Sequence, residues 1–210
     1  MQLTKKEILE IVNNFDLGKV KDYKLIKGGL VNHNYILKTE KGNYIIRIVG
    51  NNSPEKIKHL KLQFKILNFL KKKNFPYKIP FPLKTKNSRE IIVLSKKRIW
   101  VYEMINGSNR VRPNLNQIKQ MAKALATYHK YIKNLKGKIK TDNPNLRIQN
   151  SFKKMKKING KTEADLLAIK HRDFFEEIFN KVKNINLDTN KLFLHGDFDS
   201  SNVLFHNGEL

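Results

Sequence analysis

The chain has 210 residues, 40% of them hydrophobic and none of them cysteine, with a formal net charge of +25. This length and apolar content suit a globular protein with one good core or two small lobes. The absence of cysteine excludes disulfides, thiolate catalysis and cysteine-ligated zinc or iron–sulfur sites. No run approaches the ~18 apolar residues of a membrane span, and the N-terminus lacks a signal-peptide core. We therefore expect a cytoplasmic protein with no membrane partner.

The positive charge raises the question of a nucleic-acid partner, because basic surfaces attract phosphate backbones whatever their sequence. The lysines, however, are spread from Lys5 to Lys191, and no helix-turn-helix, zinc-finger or RRM pattern is present. We do not expect dedicated nucleic-acid binding. A basic protein associated with RNA or DNA stays open as an alternative.

The first hundred residues predict two helices and an antiparallel sheet. Thr4 and Glu7 have the spacing of a capping box, and the apolar residues after them recur on one helical face. A cap, a first-turn proline and an apolar stripe predict a longer helix over 54–72. Alternating apolar residues predict strands at 23–27, 34–39, 44–49, 91–94 and 99–103.

Loop-forming residues at 104–113 mark a boundary between two predicted lobes. We assign 1–105 to an N-terminal lobe and 106–210 to a helical C-terminal lobe. Asn114 can cap the first helix of the C-terminal lobe, whose apolar residues continue to Ile132.

Apolar periodicity predicts one further helix over 163–182. The stretch before it, 136–160, is polar and lysine-rich, and we expect it to be mobile. The last part of the chain predicts a strand at 192–194, a loop at 195–201 and a hairpin arm at 202–205 that turns at Asn207-Gly208.

Residues 194–205 read LHGDFDSSNVLF. This segment resembles the H-G-D-x-x-x-x-N catalytic loop of the superfamily of aminoglycoside phosphotransferases, choline kinases and type II homoserine kinases. The resemblance implies that Asp197 is the base that accepts the proton of an attacking hydroxyl. It also implies that Asn202 coordinates Mg²⁺, and that His195 and Gly196 shape the loop. The same residues could form an ordinary turn, but their place between two apolar runs favours the catalytic interpretation.

The resemblance extends over the predicted sheet, from about Gly18 onward. It places Gly28 and Gly29 in the turn that covers the phosphates of ATP, where missing Cβ atoms admit backbone N–H groups. It places Arg47 against the α- and β-phosphates, and the backbone from Glu103 to Ile105 at the hinge that receives adenine. The alternatives are an ordinary hairpin for the glycines, a solvated strand arginine, and core residues at the hinge.

The superfamily implies a protein-kinase-like α+β fold of two lobes, with an N-terminal antiparallel sheet and helix and a helical C-terminal lobe. It implies transfer of the γ-phosphate of ATP, with Mg²⁺, to a hydroxyl of a small metabolite resembling homoserine, choline or an amino sugar. A catalytically inactive nucleotide-binding fragment or pseudokinase is the alternative. In protein kinases a helical glutamate pairs with the basic strand residue, and here Glu55 and Gln63 leave that partner open.

Members of the superfamily place a second Mg²⁺-binding aspartate on the strand after the catalytic loop. Here Glu209 lies too close to the predicted turn, and Asp199 lies inside the loop. We therefore expect a C-terminal lobe that is truncated and a chain that phosphorylates inefficiently.

Overall fold

The computed structural model describes residues 2–26, 32–50, 53–110, 112–135, 144–182 and 194–210. They belong to two compact units, one formed by Met1–Leu135 with Leu192–Leu210 and the other by Lys136–Lys191. The first unit contains every described residue of the predicted site. The lobe boundary predicted near residue 105 falls inside that unit and stays a prediction.

Five antiparallel strands form one sheet in the first unit, in the order β1-β2-β3-β5-β4. The strands are β1 Val20–Ile26, β2 His33–Thr39, β3 Asn43–Ile48, β4 Ile92–Leu94 and β5 Lys97–Glu103. The alternation of apolar residues therefore predicted all five, with boundaries that differ by up to three residues. A tight turn closes β2 onto β3 through a 2.9 Å hydrogen bond from Thr39 N–H to Gly42 O. This turn sets a register that places Asn34 opposite Arg47.

Helix α1, Lys5–Phe15, covers one face of the sheet. The predicted capping box is confirmed, since Thr4 Oγ1 accepts from Glu7 N–H at 3.2 Å and Glu7 Oε2 accepts from Thr4 N–H at 2.9 Å. Lys97 on β5 holds the same carboxylate at 2.7 Å. The helix and the sheet share an apolar core that includes Ile8, Ile11, Val12, Phe15, Leu37, Ile46, Ile48 and Val101.

Helix α2, Pro54–Lys72, covers the opposite face. Ser53 caps it by accepting from Lys56 N–H, and Pro54 lies in its first turn, as predicted. Its core with the sheet contains Ile45, Val49, Leu60, Phe64, Leu67, Trp100 and Tyr102. Every second residue of a strand points to the same face of the sheet. Arg47 is two positions from Ile45 and from Val49, which both belong to this core, so its side chain lies on the α2 side.

Helix α3, Leu115–Ile132, begins at Asn114 in a capping box with Gln117. The predicted strands near the end of the chain need correction. Leu192 and Phe193 lie outside the described residues, and Leu194 belongs to no strand. The predicted arm at 202–205 is not a continuous strand either, because Asn202 ends a short 3-10 helix, Ser200–Asn202, and Phe205 forms an isolated bridge with Ser108.

The secondary structure of the second unit differs from the prediction in two places. Its predicted mobile stretch contains helix α4, Pro144–Met155. The predicted single helix is two, α5 Glu163–Lys170 and α6 Arg172–Val182. The break occurs because His171 leaves helical geometry at φ −101° and ψ 10°, and its carbonyl then accepts from Phe175 N–H to start α6. No helix within the described ranges is both long and apolar enough to cross a bilayer.

Candidate active site

The predicted catalytic loop is a compact turn with polar side chains at its surface. Asp199 Oδ1 accepts from Ser201 N–H at 2.6 Å, and Asp199 O accepts from Asn202 N–H at 3.1 Å. The Ser201 hydroxyl also donates to Asp199, and these hydrogen bonds lower the pKa of the Asp199 carboxyl. Asp199 therefore serves as the internal cap of the loop.

Asp197 and Asn202 lie side by side as a consequence of this turn. The Asn202 side-chain Nδ2 donates to Asp197 Oδ2 at 3.0 Å and to Asp197 O at 2.9 Å. Both side chains are exposed. Because Nδ2 makes both bonds, Asn202 Oδ1 and Asp197 Oδ1 remain for other ligands. The described residues contribute no donor to either oxygen.

His195 and Gly196 shape the loop in different ways. The His195 ring packs edge-on against Phe198, with centroids 5.2 Å apart, and against Tyr128 of α3 at 6.2 Å. Tyr128 is buried, and burial raises the pKa of its hydroxyl. Gly196 has a φ of +79°, which side-chain-bearing residues rarely adopt. Aromatic packing and one left-handed glycine thus bring Asp197 to the surface next to α3.

The segment after the loop pairs with the linker that follows β5. Ser108 N–H donates to Phe205 O at 3.0 Å, and Phe205 N–H donates to Ser108 O at 2.9 Å. Gly107 makes this pairing possible, because a Cβ there would lie 3.0 Å from both Leu204 Cβ and Phe205 O. The bridge lies three residues after Asn202.

Gln120 of α3 holds the end of the chain. Its Nε2 donates to Gly208 O at 3.1 Å, and its Oε1 accepts from Leu210 N–H at 2.9 Å. The predicted turn at Asn207-Gly208 is confirmed, with φ of 51° and 84° at its two residues, as a type I′ turn requires.

Arg47 lies among polar and aromatic groups. Its Nε donates to Asn34 Oδ1 at 2.8 Å, and its Nη2 donates to the Tyr102 hydroxyl at 3.3 Å. The guanidinium carbon lies 5.4 Å from the centre of the Trp100 ring and 5.5 Å from that of Tyr102. Burial raises the pKa of Tyr102, against the smaller opposing effect of Arg47.

Neither Glu55 nor Gln63, the two candidates from the sequence, is hydrogen-bonded to Arg47. The hydrogen bonds of Arg47 to described residues go to Asn34 and Tyr102. The sequence contained a signal that could have found the first of these, because a tight turn between the strands predicted at 34–39 and 44–49 sets Asn34 opposite Arg47. No local pattern pointed to Tyr102, which is 55 residues away.

The hinge residues expose part of their backbone. Tyr44 of β3 pairs with Glu103, and Met104 N–H donates to Asn43 O at 2.9 Å. In this arrangement Tyr44 and Glu103 form a non-hydrogen-bonded pair, so the Glu103 N–H and C=O point away from β3. The N–H of Met104 is therefore occupied, and the candidate contacts for adenine are backbone groups of Glu103 and Ile105. Gly28 and Gly29, the other predicted nucleotide contacts, lie outside the described residues.

Comparison with known proteins identifies the family. The family model described as APH, the phosphotransferase enzyme family, matches residues 22–210. A homoserine kinase of Caulobacter vibrioides is 24% identical over 203 residues, which are 97% of this chain and 62% of the relative. A homoserine kinase of Janthinobacterium sp. is 26% identical over 127 residues, 60% of this chain and 38% of the relative. The chain thus spans about three fifths of the length of the Caulobacter protein.

Solved structures share the fold. Spectinomycin phosphotransferase, in complex with ADP and spectinomycin, superposes with a TM-score of 0.68 at 15% identity, over 99% of this chain and 67% of that one. The GDP and kanamycin complex of an APH(2") protein superposes with a TM-score of 0.68 at 14% identity, over 97% and 68%. The predicted kinase-like arrangement of an antiparallel sheet and helices is confirmed.

Proposed function

Because this chain belongs to the APH phosphotransferase enzyme family, we propose that it transfers the γ-phosphate of ATP to a hydroxyl of a small metabolite. The observation that carries the proposal is the bonded pair of Asp197 and Asn202 at 3.0 Å. A carboxylate and an amide five residues apart, held by a capped turn, supply a proton acceptor and an oxygen ligand in one place.

Asp197 acts on the acceptor. Its carboxylate orients the attacking hydroxyl and takes its proton as the hydroxyl oxygen bonds to the γ-phosphorus. The bond from that phosphorus to the oxygen bridging the β-phosphate breaks, and ADP leaves with the electron pair. This chemistry needs positioning and charge stabilisation more than a covalent intermediate.

Three further parts of the chain act on the nucleotide. Arg47 neutralises phosphate charge. The backbone groups of Glu103 and Ile105 that are not used within the sheet receive adenine, and Gly28 and Gly29 cover the phosphates. The homologous proteins solved with ADP and with GDP make a nucleotide the expected donor.

The donor chemistry of the loop suits Mg²⁺. Asn202 Oδ1 is a hard oxygen ligand, and Mg²⁺ prefers such ligands together with phosphate oxygens. When bound, Mg²⁺ neutralises charge on the phosphate oxygens. The capped turn holds Asn202 in place, and Asp197 fixes which end of its amide is left for the ion.

The acceptor we propose is a small, amine-bearing alcohol resembling homoserine, choline or an amino sugar. The support is the named activity of the relatives, which are homoserine kinases and phosphotransferases solved with spectinomycin or kanamycin.

The test combines nucleotide binding with turnover. Calorimetry and thermal unfolding should show binding of ATP with Mg²⁺ to the folded protein. ADP release should then depend on one class in a panel of amino alcohols, sugars and homoserine. Binding without acceptor-dependent turnover would identify the inactive nucleotide-binding alternative. No binding at millimolar ATP would overturn the proposal.

A further inference from the structure

Three strands present a row of side chains beside α2. Asn34 of β2 pairs with Arg47 of β3, and Arg47 pairs with Trp100 of β5. Directly paired residues of neighbouring strands point to the same face of a sheet. The row therefore places an amide on one side of the arginine and an indole on the other, without contribution from any loop.

Two hydrogen bonds hold the guanidinium of Arg47, which also lies near two aromatic rings. Nε donates to Asn34 at 2.8 Å, Nη2 donates to the Tyr102 hydroxyl at 3.3 Å, and the Trp100 ring lies 5.4 Å away. A guanidinium has five N–H donors, and these two bonds use two of them, which leaves three. A lysine could not stack and donate in this forked way.

The aromatic residues beside Arg47 are held in place by their own packing. Trp100 is fully buried. Its ring packs edge-on against Phe64 of α2, with centroids 5.2 Å apart, and lies tilted by 32° against the Tyr102 ring at 5.0 Å. A buried ring with neighbours on both sides cannot follow the arginine if the arginine moves. The contact with the Trp100 ring therefore restrains the position of the Arg47 guanidinium.

The described residues place no carboxylate against the charge of Arg47. Within the described parts of the chain, no carboxylate lies at ion-pair distance from its guanidinium. Asn34 and Tyr102 orient the group with neutral partners. A carboxylate in their place would orient it equally well but would offset part of the positive charge that a phosphate needs.

We infer that Asn34 and Tyr102 are positioning residues that hold Arg47 for the phosphates of a bound nucleotide, in the place where an acidic helix residue would otherwise act. The inference rests on the proposed function and extends it. Replacing either residue should therefore lower the affinity for ligands that carry phosphates and leave the affinity for a nucleoside without phosphates unchanged.

The experiment measures ATP and adenosine binding by calorimetry for the whole chain and for N34A, Y102F and R47A. Y44F is the matched control, because Tyr44 and Tyr102 are equally buried, at 9% exposure, and Tyr44 packs in the core on the α1 face. We expect N34A and Y102F each to weaken ATP binding by about tenfold, which is the low end of the loss when a hydrogen bond to a charged group is removed. Adenosine affinity should change less than about twofold, which is the deviation normally seen between sites that do not interact.

A double-mutant cycle makes the test specific to Arg47. Once Arg47 is alanine, N34A and Y102F should have no further effect on ATP affinity, because they have nothing left to position. Trp100 is the single tryptophan of the chain, so its fluorescence gives a second measurement. ATP should change its emission in the wild type and not in R47A.

Each outcome is decisive. If the wild type binds no ATP, the proposed function fails and the inference fails with it. If the wild type binds ATP but N34A and Y102F match Y44F, or weaken adenosine as much as ATP, or add to R47A, the inference is wrong and the proposed function stands. Y102F removes one oxygen, so it keeps the test valid if N34A does not fold.

Discussion

At the scale of single residues, two aspartates in one loop have different surroundings. Asp199 is exposed, and its carboxylate accepts from Ser201, whose hydrogen bonds lower the pKa of that carboxyl. Asp197 accepts from the Asn202 amide and stays exposed. The first thus keeps the turn closed, and the second is left to meet a substrate.

Replacing Asp197 should separate catalysis from nucleotide binding. In an active form of the protein, Asp197→Ala and Asp197→Asn should each lower kcat by at least about a hundredfold, since a general base is lost. ATP affinity should stay close to the wild-type value, and Asn202→Ala should instead raise the Mg²⁺ requirement. Glu209→Gln, an exposed acid of the same segment, is the control. Near wild-type turnover for Asp197→Ala would refute its role.

Glu7 should make the first unit sensitive to acid. Burial alone would raise the pKa of Glu7, but hydrogen bonds from Lys97, Thr4 and Ser95 and the charge of Lys97 lower it to about 2, from 4.5. Ionised Glu7 therefore contributes up to about 3 kcal/mol to the free energy of unfolding. The contribution is complete above pH 4.5 and is lost as the pH falls toward 2.

Urea unfolding at a series of pH values checks this. The variant Glu7→Gln should be less stable at neutral pH, because Lys97 loses its counter-charge, and its stability should depend less on pH in the acid range. Glu10→Gln, an exposed position on α1, should behave like the wild type. An unchanged acid profile for Glu7→Gln would contradict the buried ion pair.

At the scale of elements, the linker after β5 and the segment after the catalytic loop depend on each other. Two backbone hydrogen bonds join Ser108 to Phe205, and Gln120 of α3 holds the turn that follows. The hinge backbone at Glu103 and Ile105 precedes one side of this bridge, and Asn202 precedes the other. A change at the bridge should therefore alter the positions of both the hinge backbone, predicted to bind adenine, and Asn202, predicted to bind Mg²⁺.

Gly107 tests the bridge. Alanine there would place its Cβ 3.0 Å from Leu204 Cβ and Phe205 O, at a φ of +147°. We expect Gly107→Ala to lower the free energy of unfolding by about 1–3 kcal/mol, the usual cost of overpacking. Gly208→Ala is the matched control, because it also has a positive φ but has nothing within 4 Å of an added Cβ. Equal losses in the two variants would show that the close approach is unimportant.

At the scale of the whole molecule, the net charge of +25 allows two kinds of anionic ligand, nucleotides and nucleic acids. They differ in how many phosphates they present to the protein. A nucleotide held by Arg47 engages few charges, whereas nucleic acid bound along a lysine-rich surface engages many and releases many counterions.

Salt dependence should separate the two. Between about 50 mM and 200 mM salt, binding of an unrelated oligonucleotide through six or more phosphates should weaken by about a thousandfold or more. ATP binding and its thermal stabilisation should weaken much less. Salt-sensitive binding of unrelated oligonucleotides, with no thermal shift from ATP, would favour the nucleic-acid alternative.

The sequence alone was sufficient for the features that depend on neighbouring residues. Capping boxes, period-two alternation and turn chemistry predicted α1 to α3, the five strands and the Asn207-Gly208 turn, because each depends on residues a few positions apart. The H-G-D-x-x-x-x-N motif likewise singled out Asp197 and Asn202, whose side chains share a 3.0 Å hydrogen bond in the structure. Helix α4 was missed although residues 148, 152 and 155 have helical spacing, since the many lysines of the longer stretch 136–160 suggested a solvated segment.

Other features required the three-dimensional structure. The partners of Arg47 lie 13 and 55 positions away in the sequence. The bridge that requires Gly107 joins segments almost a hundred residues apart, and the free backbone of Glu103 follows from which strand lies beside it. Local patterns contain no information about such neighbours, because the folding of the whole chain, and not the preference of any segment, brings them into contact.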